Sequence, residues 1–160
     1  MEDWAEYCVA QIGASAALAG LIFVGVSINL AKVIAIPQLV SLSLEAILLL
    51  ATVLGECSIL LAPGQPPARI GAEILVLALA LWAILSLLQR RTFSRAPREY
   101  RRDYWRHFVP GQLAMLAFAV AGAWLMMGGE AGLIFFLPGT LLCYAAAFNY
   151  AWILLIEINR

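Results

Sequence analysis

The chain has 160 residues, of which 64% are hydrophobic and 12% charged, with ten basic against ten acidic side chains and a mean hydropathy of +0.91. A soluble globular domain is about half apolar and a quarter charged, so too little polar surface is left here to cover a water-soluble fold. The apolar residues come in runs, and in hydrocarbon every backbone amide must be satisfied within its own segment, so the sequence predicts an all-α integral membrane helical bundle, one domain over residues 1–160.

The first predicted span is 8–31. It is preceded by the acidic Met1-Glu2-Asp3-Trp4-Ala5-Glu6. A secretory leader needs a basic start and a small-residue cleavage site, so this helix is expected to be retained. Gln11, Ser15, Leu18, Ile22, Gly25 and Asn29 share one of its faces. The helix is also rich in small residues (Gly13, Ala14, Ser15, Ala16, Ala17, Ala19, Gly20 and Gly25). Small residues let helix backbones approach closely in lipid, which predicts tight packing of the first span on the second.

The second span, 38–62 with Pro37 at its start, carries the most informative pattern of the chain. At about 100° per residue, Gln38, Ser41, Thr52 and Glu56 all fall within about 40° of Glu45. They make one polar stripe on an otherwise apolar helix. Glu45 and Glu56 stand about 16 Å apart along the axis, given a rise of ~1.5 Å per residue. Facing lipid, each charge near the bilayer centre would cost at least ~2.5 kcal/mol, so the stripe should face other helices or a watery cavity. One reading is an ion or proton pathway. The other is structural glue, each carboxyl protonated or bonded to a polar neighbour. Asn29 is the natural hydrogen-bonding partner for Glu45, with Asn149 at a similar depth; Gln11 and Glu73 are the candidates for Glu56.

Pro63-Gly64-Gln65-Pro66-Pro67 reads as a tight turn into the third span, 70–90. Glu73, near its start, is placed where acids favour a helix terminus. A basic loop over 91–107 follows. Arg91, Arg95, Arg98, Arg101, Arg102 and Arg106 are expected to meet anionic lipid headgroups. Phe93, Tyr100, Tyr104 and Phe108 share a helical stripe, and Pro97 could open a short interfacial helix. Nucleic-acid binding is not expected, because the basic patch is pinned against a membrane and topology already explains it.

The fourth span is 108–128 and the fifth 132–158, with Gly128-Gly129-Glu130 between them. Pro138-Gly139 either kinks the fifth helix or marks its true start; in the second case 131–137 is an apolar surface loop, and four spans plus an interfacial segment is the alternative count. With five spans, nine of the ten Lys and Arg residues fall on one side: Lys32, the seven arginines from Arg90 to Arg106, and Arg160. Only Arg69 falls on the other. This bias predicts a multi-pass plasma-membrane protein with the arginine loop and C-terminus cytoplasmic and the N-terminus outside.

No catalytic constellation is visible, and no enzyme activity is expected. One histidine, His107, cannot supply a bis-histidine haem site, and no zinc set, nucleophile elbow or phosphate loop appears. No cofactor is expected. Cys8, Cys57 and Cys143 lack metal or redox spacing; Cys8 and Cys57 are expected at the same membrane face, where a disulfide is an open alternative to simple packing. Trp82 and Tyr150, with the other tryptophans and Tyr7, read as belt or packing aromatics.

The segments Ala16-Ala17-Leu18-Ala19-Gly20-Leu21-Ile22-Phe23-Val24-Gly25-Val26-Ser27-Ile28-Asn29-Leu30 and Asn149-Tyr150-Ala151-Trp152-Ile153-Leu154-Leu155-Ile156-Glu157 together resemble a family of small bacterial polytopic membrane proteins. Some of its members are labelled modulators of a membrane AAA protease. The resemblance implies that Asn29, Asn149 and Glu157 belong to a shared pattern, and it carries no catalytic role. Two functions are therefore expected to compete. One is a homo-oligomer enclosing a polar pathway. The other is a regulatory or scaffold protein acting on a larger membrane complex.

Overall fold

Proline and glycine punctuate the chain, and the apolar runs between them become helices. The computed structural model describes residues 2–95 and 101–155, with side chains over 4–94 and 108–154. The elements are α1 (Glu2–Ile28), α2 (Leu30–Ala35), α3 (Pro37–Leu60), α4 (Pro67–Arg95), α5 (Arg101–Met126), a 3₁₀ helix (Glu130–Phe135) and α6 (Phe136–Leu155). Five helical segments are long and apolar enough to cross a membrane: Trp4–Ile28, Pro37–Leu60, Pro67–Ser94, Phe108–Met126 and Glu130–Leu154.

Each break has a local cause. Asn29 leaves helical geometry, with ψ at 20°, and its amide donates back to the Gly25 carbonyl at 3.3 Å. Ile36 is extended, as the residue before a proline prefers, and Pro37 then opens α3 where its missing N–H has no carbonyl to serve. Gly64 and Gly128 adopt φ of +73° and +87°, a conformation that costs a side chain but not a glycine. Pro138 sits in the first turn of α6. It marks a start and not a kink, and the residues before it coil as the 3₁₀ helix with Gly132 and Leu133 buried.

The packing defines a ring. Consecutive helices α3, α4, α5 and α6 contact one another and α6 closes back onto α3, while α1 lies outside against α3 and α6. The broadest contact is between α4 and α5. There Gly71 and Gly122 face each other, and a Cβ on Gly122 would stand 2.7 Å from the Leu75 nitrogen and 2.9 Å from the Gly71 oxygen. The backbones touch only because both residues are glycine.

Outside the ring the surface is apolar. Leu21, Ile28, Val76 and Trp152 are 59% or more exposed. Large apolar side chains so displayed suit a lipid environment and would be a liability in water.

Two expectations change. α1 does pack along α3, but through its polar stripe: Cys8, Ser15, Ile22 and Gly25 are buried, while Gly13, Ala14, Ala16, Ala17 and Gly20 point outward. No neighbouring atom would lie within 4 Å of a Cβ at Gly13 or Gly20. The basic loop expected over 91–107 is also shorter, because α4 continues to Arg95 and α5 is helical from Arg101. The interfacial helix expected from Pro97 lies outside the described residues.

Candidate functional site: two buried carboxylates inside the bundle

Hydroxyls on these helices mostly satisfy themselves. Ser43 donates to the Leu39 carbonyl at 2.8 Å and Thr52 to that of Leu48 at 2.8 Å. This back-bonding meets the demand of a buried O–H without a second helix. A carboxylate has no proton to donate back in this way, so it shows where helices are tied together.

Glu45 is such a tie. It is 1% exposed. Thr92 of α4 donates its hydroxyl to Glu45 Oε1 at 3.3 Å, and the Tyr150 side chain lies within hydrogen-bonding reach of the carboxyl, with Gln89 beside it. Gln89 accepts from Gln112 Nε2 at 2.6 Å; the same amide nitrogen reaches Ser86 Oγ at 3.3 Å. Gln112 Oε1 accepts in turn from the indole N–H of Trp82. The network therefore joins all four helices of the ring, at the end nearer the arginines.

Glu56 is the opposite case. It is fully buried, and neither carboxyl oxygen has a hydrogen-bond partner among the described residues. Cys57 and Cys143 stand near it. An isolated buried carboxylate is among the costliest groups a fold can hold, and no contact here offsets it.

A second set of polar groups lies near the level of Glu56 and ties α1 to α6. The Tyr144 hydroxyl reaches Gln11 Oε1 at 2.8 Å, the Gln11 carbonyl at 3.2 Å and Ser15 Oγ at 3.1 Å. Tyr7 hydrogen-bonds Thr140. Cys8 of α1 and Cys57 of α3 are both buried and unbridged, with their thiols in hydrogen-bonding reach.

The expected stripe is thus split by environment. Thr52, Glu45 and Glu56 are buried; Gln38 and Ser41 are half-buried at the start of α3. Three of the expected partners are engaged elsewhere. Asn29 bonds back to Gly25 of α1, Gln11 serves Tyr144, and Glu73 pairs with Arg69 at 3.0 Å. Asn149 is half-buried on α6. Tyr150 is 1% exposed, so of the belt and packing readings it takes the packing one. Arg91 is exposed at the end of α4. The side chains of Arg95, Arg98, Arg101, Arg102 and Arg106, and Glu157 altogether, lie outside the described residues.

Sequence reasoning passed over Gln89, Gln112 and Thr92. The signal was present for the first two, since an amide inside an apolar run must find a partner. Replacing Gln112 with leucine is expected to destabilise the protein by about 1–2 kcal/mol, read as a lowered unfolding midpoint in detergent. Ser58→Ala, on the exposed side of α3, should leave that midpoint in place.

A cavity and a groove among the described residues flank the bundle. The cavity, of about 160 Å³, is lined by Leu18, Leu21, Ile22, Leu50, Ala147, Phe148 and Ala151, and the open groove, of about 500 Å³, lies beside Ile59, Arg69 and Glu73. Neither includes Glu45 or Glu56 in its lining. Among the described residues no group of three or more His, Cys, Asp or Glu could hold a metal ion. Comparison with protein-family models, curated proteins and solved structures gives no match.

Proposed function

We propose that this is a multi-pass membrane protein that binds and relays protons inside its own bundle, with Glu56 as the exchanging group. The observation that supports this is the contrast between the two glutamates. Glu45 accepts from Thr92 and has the Tyr150 hydroxyl within reach, so packing alone accounts for it. Glu56 has no such partner among the described residues, and its position is a cost to stability. A costly buried ionisable group inside a membrane segment is a functional candidate by default.

The proton is the species that suits this geometry. Thr52, Glu45 and Glu56 are buried among the chain's own helices, and a relay through them needs no second copy. A closed interior passes protons along side chains and transient water more readily than hydrated cations. On this reading the arginine-rich end is cytoplasmic, following the bias of Lys and Arg, and Glu45 with its network serves that side.

The competing reading is a regulator of a larger membrane complex, such as a membrane protease, and it rests on the resemblance. The hydrogen bonding around Glu45 favours it for that residue, as glue. It leaves Glu56 without a reason.

Liposomes containing the purified protein and a pH-sensitive dye, driven by a potassium diffusion potential, provide the test. The expected result is proton entry above that of empty liposomes, abolished in Glu56→Gln and by dicyclohexylcarbodiimide, which should label Glu56. Flux that is unchanged in Glu56→Gln, or absent from the wild type, would sink the proposal.

A further inference from the structure

The three cysteines take no part in that relay, and two of them meet. Cys8 lies on the first half of α1 and Cys57 on the last turn of α3; both are 0% exposed. Their thiols are in hydrogen-bonding reach of each other across the α1–α3 contact. Neighbouring bonds hold that register. Tyr7, next to Cys8, is tied to Thr140, while Gln11 and Ser15, one and two turns further on, are tied to Tyr144. Cys143 arrives from α6 and is not part of the contact.

α1 is also the least enclosed span. Only 17% of its apolar window is buried, against 50% for that of α5. It stands outside the four-helix ring, and a Cβ at Gly13 or Gly20 would meet no described atom within 4 Å. A covalent link here would therefore act on the helix that is held most weakly.

We infer that Cys8 and Cys57 are a redox-sensitive pair that closes to an intramolecular disulfide and clamps α1 to α3, with a hydroperoxide as oxidant. A hydroperoxide is small and neutral enough to enter from lipid or along a loosely packed helix. In the first step one cysteine sulfur attacks a peroxide oxygen and the O–O bond breaks. The thiol proton leaves with the departing oxygen as water or alcohol, and a sulfenic acid remains. In the second step the other sulfur displaces hydroxide from the sulfenic acid, forming the S–S bond. Its proton completes a water molecule. The two sulfurs are oxidised by two electrons, and the peroxide is reduced by two. Thiol–disulfide exchange with a reduced dithiol reverses the modification.

The test uses the full chain in membranes. Samples are treated with hydrogen peroxide, blocked with N-ethylmaleimide, denatured and weighed by mass spectrometry. Cys143→Ser is expected to lose the mass of two hydrogens, take no maleimide and stay monomeric, and dithiothreitol should restore both labels. Cys8→Ser and Cys57→Ser should form no link. Amide exchange across α1 should slow on oxidation of the Cys143→Ser protein and stay unchanged in Cys57→Ser or Cys57→Ala. The inference is overturned if oxidised Cys143→Ser keeps two reactive thiols, if the wild-type link includes Cys143, or if the link joins two chains.

Discussion

Replacing Gly122 with alanine is expected to destabilise the protein by about 1–3 kcal/mol, the range for overpacking a close-packed site, and leucine there should prevent assembly of the bundle. The argument is geometric. The new methyl carbon would lie 2.7 Å from the Leu75 nitrogen and 2.9 Å from the Gly71 oxygen. Both are backbone atoms, so no rotamer change relieves the clash and the two helices must separate. Because α4 and α5 share the broadest contact in the fold, separation loses packing along their whole length. In lipid that packing is the main attraction between helices, since apolar burial gives none. Gly71→Ala should behave alike, its Cβ falling 2.7 Å from the Gly122 oxygen. Gly13→Ala and Gly20→Ala are the controls. They meet empty space, and alanine is the better helix former by roughly 0.8–1 kcal/mol, so they should be neutral or mildly stabilising. Titration of the folded protein with dodecyl sulfate in mixed micelles reads all four. A similar loss in Gly20→Ala and Gly122→Ala would mean that α1, and not the α4–α5 contact, carries the close packing.

Those four glycines also show what could be read from the sequence and what could not. Hydropathy located the spans, because crossing hydrocarbon requires length and apolarity, and both are properties of composition. It could not say which face of a span meets protein and which meets lipid, because both faces are apolar. The small residues of α1 looked like an interface because they are clustered, yet most of them face outward. The working contact is made by one glycine on each of two helices, and no cluster announces it. The carboxylate stripe was legible because a charge in hydrocarbon stands out against its neighbours. Its partners were harder to see. Thr92 was assigned to the basic loop, since hydropathy ends where the arginines begin while the helix does not. Tyr150 stays open between belt and packing in the sequence, since an amphipathic ring suits an interface and a hydrogen-bonded core alike. Partner choice depends on how the helices rotate and pair, and a single chain's periodicity does not encode that.

Methionine at Glu45 and at Glu56 is expected to move stability in opposite directions. At Glu56 both carboxyl oxygens are buried without a partner among the described residues, so an apolar side chain of similar length removes a desolvation cost and breaks no bond. The gain should be about 1–3 kcal/mol, the usual penalty for an unsatisfied buried polar group. At Glu45 the same change strips an acceptor from Thr92 and takes the carboxyl away from the Tyr150 hydroxyl. Thr92 keeps an acceptor in the Leu88 carbonyl at 3.0 Å, so the loss should be modest, roughly 1–2 kcal/mol at typical values for intramembrane hydrogen bonds. The dodecyl sulfate titration gives both signs directly. The pairing with function is what makes the result decisive. A residue kept for stability loses stability when it is replaced. A residue kept for proton exchange gains stability and loses flux, the usual trade at a strained functional position. Destabilisation by Glu56→Met would show that Glu56 is glue after all, and the proton relay would lose the observation on which it rests.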